Sequence, residues 1–145
     1  MQPARRLVRH LFVAVLVVPV VACQSAPSSP HLITIARPAF AGEALFRGEL
    51  EVVRGCVVVN GDRRSSAVLF DPGVTLLPSG DGLHDPHSGN DISFGQRISG
   101  GGGVLREDGK GWPISDIERF YGVTFPEACP KDNVVRLRKM EVLEG

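Results

Sequence analysis

The chain has 145 residues, the length of a single domain, and carries sixteen basic and sixteen acidic side chains. Three of the basic residues, Arg5, Arg6 and Arg9, precede a long apolar run, which leaves thirteen basic against sixteen acidic residues beyond Ala22 and a net charge of about −3 there. Phosphate neutralisation needs clustered lysine and arginine in a basic domain, so this balance argues against nucleic acid as a partner.

The N-terminal segment has three parts in a fixed order. MQPARRLVRH is cationic, LFVAVLVVPVVA over residues 11–22 is an apolar stretch of twelve residues, and Cys23 follows directly. That order is the layout of a secretory signal. Twelve residues at roughly 1.5 Å each make about 18 Å of helix, short of the roughly 30 Å hydrocarbon core, so a cleaved export signal is expected and a spanning helix is not. The residues Val20, Val21 and Ala22 lead straight into the cysteine. Here the chain resembles bacterial lipoproteins, whose lipobox sets a small residue immediately before a cysteine that receives a diacylglyceryl thioether and becomes the new N-terminus. That family most often has leucine where this chain has Val20.

The resemblance covers residues 1–23. It implies a signal peptide over residues 1–22, lipidation at Cys23 with palmitate-like acyl chains, and a membrane-anchored protein of the cell envelope whose first partner is membrane lipid. An ordinary signal peptide with an incidental cysteine, or an uncleaved anchor, are the alternatives. Gln24, where an aspartate tends to retain such proteins at the inner membrane, resembles the outer-membrane class facing the periplasm. Two or three acyl chains at roughly 0.8 kcal/mol per buried methylene give stable anchoring, whereas one chain exchanges. Residues 23–30 then form a lipidated cysteine and flexible tether, because QSAPSSP is too small and polar to order itself. Residues 31–145 make one domain.

Short apolar runs punctuated by Gly, Pro, Asn and Asp fill that domain, as in an all-β protein. LITIA at 32–36 alternates weakly, and GELEVV at 48–53 sets Leu50 and Val52 on one side as a half-buried strand should. CVVVNGD follows, and Asn60-Gly61 is the dipeptide of a tight hairpin turn. SAVLF at 66–70, VTLLP at 74–78 and DISFGQRIS at 91–99 continue the series, the last with Ile92, Phe94 and Ile98 on one face. SDIERFYG at 115–122 is predicted as a short helix, with Ser115 and Glu118 as a capping box and Gly122 as a left-handed stop. In the closing run NVVRLRKMEVLE, Val135 and Leu137 share a phase while Met140 and Val142 take the opposite one, which predicts a bulge near Arg138 and Lys139. A meander of five or six strands with one short helix before the last strand resembles a small, closed or partly closed OB-like barrel, with a compact sandwich as the alternative.

With Cys23 assigned to lipid, Cys56 and Cys129 remain in a compartment where disulfides persist, and their pairing is expected. The alternatives are two free thiols or a two-thiol metal site. Closing the 73-residue separation removes roughly 4 kcal/mol of unfolded-chain entropy in the simple model. The densest polar stretch is DGLHDPHSGND at 81–91. His84 and His87 with a carboxylate such as Asp85 or Asp91 are weak candidates for Zn²⁺, and the carboxylates with carbonyls for Ca²⁺, but the spacing matches no strong template, and a turn-rich solvated loop with no metal or cofactor is the favoured reading. The four glycines at 100–103 lack the lysine of a phosphate loop and suggest a turn, or a close approach of backbones where the barrel closes. Trp112, Phe120 and Tyr121 either pack the helix against the barrel mouth or line a ligand face. His31, beside the tether, is expected to be exposed. A binding or structural contact with an envelope protein or small ligand is the expected function, and a metal-dependent hydrolase built on the 81–91 loop is its rival. Gly55-Cys56 with its apolar strand, the central glycines and Pro126-Glu127-Ala128-Cys129 also resemble small envelope lipoproteins, a likeness that implies no activity.

Overall fold

The computed structural model describes residues 28–37 and 44–144, so the expected signal peptide and Cys23 lie outside the described residues. The chain opens with β1 (Ile33–Thr34), β2 (Ala44–Val53), β3 (Cys56–Asn60) and β4 (Ser65–Phe70). A small antiparallel sheet follows, made of β5 (Thr75–Leu76), β6 (Gly82–Asp85) and β7 (Asn90–Ser93). Then come β8 (Arg97–Glu107), β9 (Lys110–Gly111), α1 (Ile114–Tyr121) and β10 (Val134–Val142). Among the described residues, no helix is long and apolar enough to cross a membrane.

Five strands close into a ring in which β2 pairs with β3, β3 with β4, β4 with β10, β10 with β8, and β8 with β2. This is an all-β, OB-like ring with one short helix before its last strand. It is not the simple meander of the sequence expectation. The last strand enters between β4 and β8 and runs parallel to β4, which requires a crossover, and that crossover contains α1.

Alternation along the strands builds two apolar layers. Leu50, Val57, Val59, Val68, Phe70, Ile98, Val135, Leu137 and Met140 fill the ring interior. Val74, Leu83 and Ile92, from the small sheet and the turn before it, join that core and plug one end of the ring. The opposite phase of β3, β4 and β10 points outward and is covered as well: Val58, Ala67, Leu69 and Val134 pack beneath Ile33, Ile35, Ile117, Tyr121 and Phe125. Cys56 and Cys129 belong to this outer layer and form a disulfide, with sulfurs 2.02 Å and Cα atoms 5.2 Å apart, tying the loop after α1 to the start of β3. Arg136 also faces this layer, 1% exposed, and donates to the Asp71 carboxyl at 2.7 Å.

Several local expectations shift. The tight turn falls at Arg54-Gly55, both at positive φ (52° and 78°), and not at Asn60-Gly61. Asn60 ends β3 and residues 61–64 form a wider loop, closed by the Gly61 N–H donating to the Arg64 carbonyl at 3.0 Å. The glycines at 100–103 are neither turn nor cradle but lie inside β8, where a Cβ on Gly102 would collide with the Arg136 carbonyl. The expected capping box does not form: Pro113 occupies the N-cap without a side-chain bond, and the Glu118 carboxyl accepts from the Phe125 N–H at 2.8 Å. Gly122 does end the helix, at φ 65°. The bulge is where the phase change puts it, with a register shift between Arg138 and Glu141 and Lys139 at φ 49° returning Met140 to the interior.

Candidate functional site

The polar stretch at 81–91 is the hairpin of β6 and β7, and its side chains diverge. His84 and Asp91 face each other across the pair, Nδ1 to Oδ1 at 2.7 Å, and both are solvent-exposed. Asp85, one residue on, points into the molecule and is fully buried. One of its oxygens accepts from the His87 N–H at 2.9 Å, the other from the Ser88 hydroxyl at 3.1 Å and the Met140 N–H at 2.7 Å. The His87 ring meets the Pro72 carbonyl through Nε2 at 2.8 Å. Those bonds, with Asn90 donating to the Met140 carbonyl at 3.0 Å, fasten the plug to the bulge of β10. Among the described residues, no three His, Cys, Asp or Glu side chains converge as a metal site would require.

The outer face of the second and third ring strands, β3 and β4, is where OB domains receive oligonucleotides and oligosaccharides. Here that face lies under β1, α1 and the disulfide.

Among the described residues, the end of the ring opposite the plug is left uncovered. β2, β4 and β10 begin there and β3 and β8 end there, leaving a groove of about 750 Å³ between the start of β2, the 61–64 loop and the far half of β8. Phe46, packed on the ring core, and Val135, 2% exposed, give it an apolar floor. Leu45 and Val104 extend that character outward and are 63% and 56% exposed. Among the described residues, four arginines, Arg47, Arg63, Arg64 and Arg106, share the lining with two carboxylates, Asp62 and Glu107. Arg64 is matched, its guanidinium lying 3.0 Å from Glu107 and 2.9 Å from Asp108. Arg47 and Arg63 make no ion pair among the described residues. Arg106 donates to the Trp112 carbonyl at 3.0 Å, and its Nε is buried with no hydrogen-bond partner among the described residues.

Beside the groove, past the β8–β9 turn, Trp112 stacks edge-on against Phe120 with centroids 5.4 Å apart, and Phe120 stacks on buried Tyr121 at 5.0 Å. Trp112 and Phe120 are exposed and border a shallower hollow of about 620 Å³ that also contains Asp116 and Arg119. Only Tyr121 of the three aromatics serves the buried layer.

No reading of single motifs finds the mouth, because its residues come from four segments spread between Leu45 and Val135. The adjacent Arg63-Arg64 in an acidic body was the one available signal. Comparison of the chain with family models, curated proteins and solved structures finds no match.

Proposed function

We propose that this chain is a lipid-anchored cell-envelope protein whose β-ring is a binding module that works through its open mouth. The observation that carries the binding half is the asymmetry of the ring: one end is plugged by apolar side chains, while the other ends in a groove with an apolar floor and an arginine-rich wall. An open groove of this size with a few polar groups at fixed places suits a small molecule or a protruding segment of a partner. The anchoring half rests on the cationic, apolar and cysteine succession of residues 1–23 and on the short polar tether after it.

The two halves are compatible in space. The described chain runs from residue 28 to His31 beside the Arg54-Gly55 turn, with the His31 N–H donating to the Gly55 carbonyl at 2.6 Å and its carbonyl accepting from Val57 at 3.0 Å. That turn is at the plugged end. A lipid upstream would attach at the plugged end through that tether and leave the mouth clear of the attachment point.

Intact mass of the protein extracted from the membranes of its host tests the anchor. The expected species begins at Cys23, carries a diacylglyceryl group, and is two hydrogen atoms lighter for the disulfide; a chain that retains Met1 or an unmodified Cys23 sulfur overturns it.

A further inference from the structure

Resting on that reading of the mouth, we infer that the groove binds an amphipathic anion: one carboxylate or phosphate group carried on an apolar body. Three independent features select this class. First, the charge of the groove is opposite to that of the protein around it. The body is net acidic, yet the lining holds four arginines and two carboxylates among the described residues, and Glu107 together with Asp108 is already engaged by Arg64. Arg47 and Arg63 remain without an ion pair among the described residues. Asp62 is exposed and is, among the described residues, the other lining carboxylate that a bound anion must avoid.

Second, Arg106 adds its guanidinium to the lining, held in place by donating to the Trp112 carbonyl at 3.0 Å. A guanidinium is the side chain whose planar donors match the oxygens of a carboxylate or phosphate, and low local polarity strengthens that bond. Third, the floor and outer wall are aliphatic and aromatic. Phe46 and Val135 lie at the bottom, Leu45 and Val104 stand exposed on the outer wall, and exposed apolar side chains bordering a concave site mark where an apolar body lies. A bare anion leaves those side chains in water, and an uncharged amphiphile leaves the arginines unmatched. The class that satisfies both has charge at one end only.

Backbone amide shifts of the full chain, produced with Cys23→Ser so that no acyl group competes, test this with three probes: octyl phosphate, inorganic phosphate and octyl glucoside. Octyl phosphate is expected to shift Gly61, Asp62 and Val104 saturably, and to bind at least about tenfold more tightly than either other probe, the loss of one charge-assisted contact being worth on the order of tenfold. Arg47→Gln with Arg63→Gln should weaken octyl phosphate by on the order of tenfold or more and leave octyl glucoside unchanged. Val104→Glu, at an exposed position the fold tolerates, should abolish octyl phosphate binding. If octyl glucoside saturates the same amides equally well and the arginine variants change nothing, the mouth remains a binding site but the anion is refuted. If none of the three probes shifts the mouth amides saturably, the amphipathic anion and the mouth both fail as assignments.

Discussion

His84 and Asp85 are neighbours in β6, and alternation along the strand sends their side chains to opposite sides of the sheet, where they have unequal worth. His84 shares an exposed contact with Asp91, the two side chains 45% and 66% exposed, and such pairs contribute about 0–1 kcal/mol. Asp85 is fully buried and accepts three hydrogen bonds, one of them from the backbone of a strand 55 residues away. Removing its carboxyl strands buried donors at about 1–3 kcal/mol each. Asp85→Ala is therefore expected to lower unfolding stability by about 3 kcal/mol or more, and His84→Ala by less than about 1 kcal/mol, in urea titrations followed by tryptophan fluorescence. A metal held jointly by the two residues requires comparable losses, together with a melting temperature that rises on adding Zn²⁺ or Ca²⁺. Equal losses with that metal response return the 81–91 hairpin to the hydrolase reading.

At the level of strands, the glycine run in β8 shows how a packed interface selects its residues. Gly102 faces the Arg136 backbone so closely that a methyl group has no room, whereas at Gly101 the nearest atoms to an added Cβ, on Arg138, are 3.7 Å away. Alanine ordinarily stabilises an element interior over glycine by roughly 0.5–1 kcal/mol. Gly101→Ala should thus be neutral or slightly stabilising, and Gly102→Ala should cost about 2 kcal/mol or more by forcing β8 and β10 apart, both read from thermal unfolding. A Gly102→Ala protein as stable as the parent would mean that the two strands do not approach as described. The glycines also mark what sequence discloses and what it conceals. Strand phase was legible where one face is buried: Leu50, Ile92, Ile98 and the change of phase at Lys139 all lie where periodicity places them. Turn chemistry misled at Asn60-Gly61, because the narrower crossing at Arg54-Gly55 is set by the pairing of Val53 with Cys56 rather than by a favoured dipeptide. The helix start misled for a similar reason, since Glu118 finds the Phe125 amide, a partner that exists only once the following loop has folded back. The mouth was illegible because neither the parallel pairing of β4 with β10 nor the gap above it is encoded in any one segment.

Across the whole molecule, the two apolar layers differ in how they are held. Every interior residue of the ring sits on a strand of the ring or on the plug, so backbone ladders and core packing hold that layer around the ring and at its plugged end. The outer layer is roofed by β1, by α1 and by the loop to β10, and only β1 among these has a strand partner. The Cys56–Cys129 bond is the covalent tie between that roof and the ring, and it closes a separation of 73 residues. Chain entropy assigns such a loop about 4 kcal/mol, a large share of the 5–15 kcal/mol typical of a domain. Replacing both cysteines by alanine should lower the melting midpoint by on the order of 15 °C. The loss should also be uneven, because elements with few ladder bonds open below the global unfolding free energy. Native-state hydrogen exchange is expected to show the amides of α1, Ile117 and Tyr121 included, losing protection well before those of β2 and β8 in the doubly substituted protein. If protection falls uniformly, or α1 is unaffected, roof and ring are one cooperative unit, and the disulfide does not fasten the first to the second.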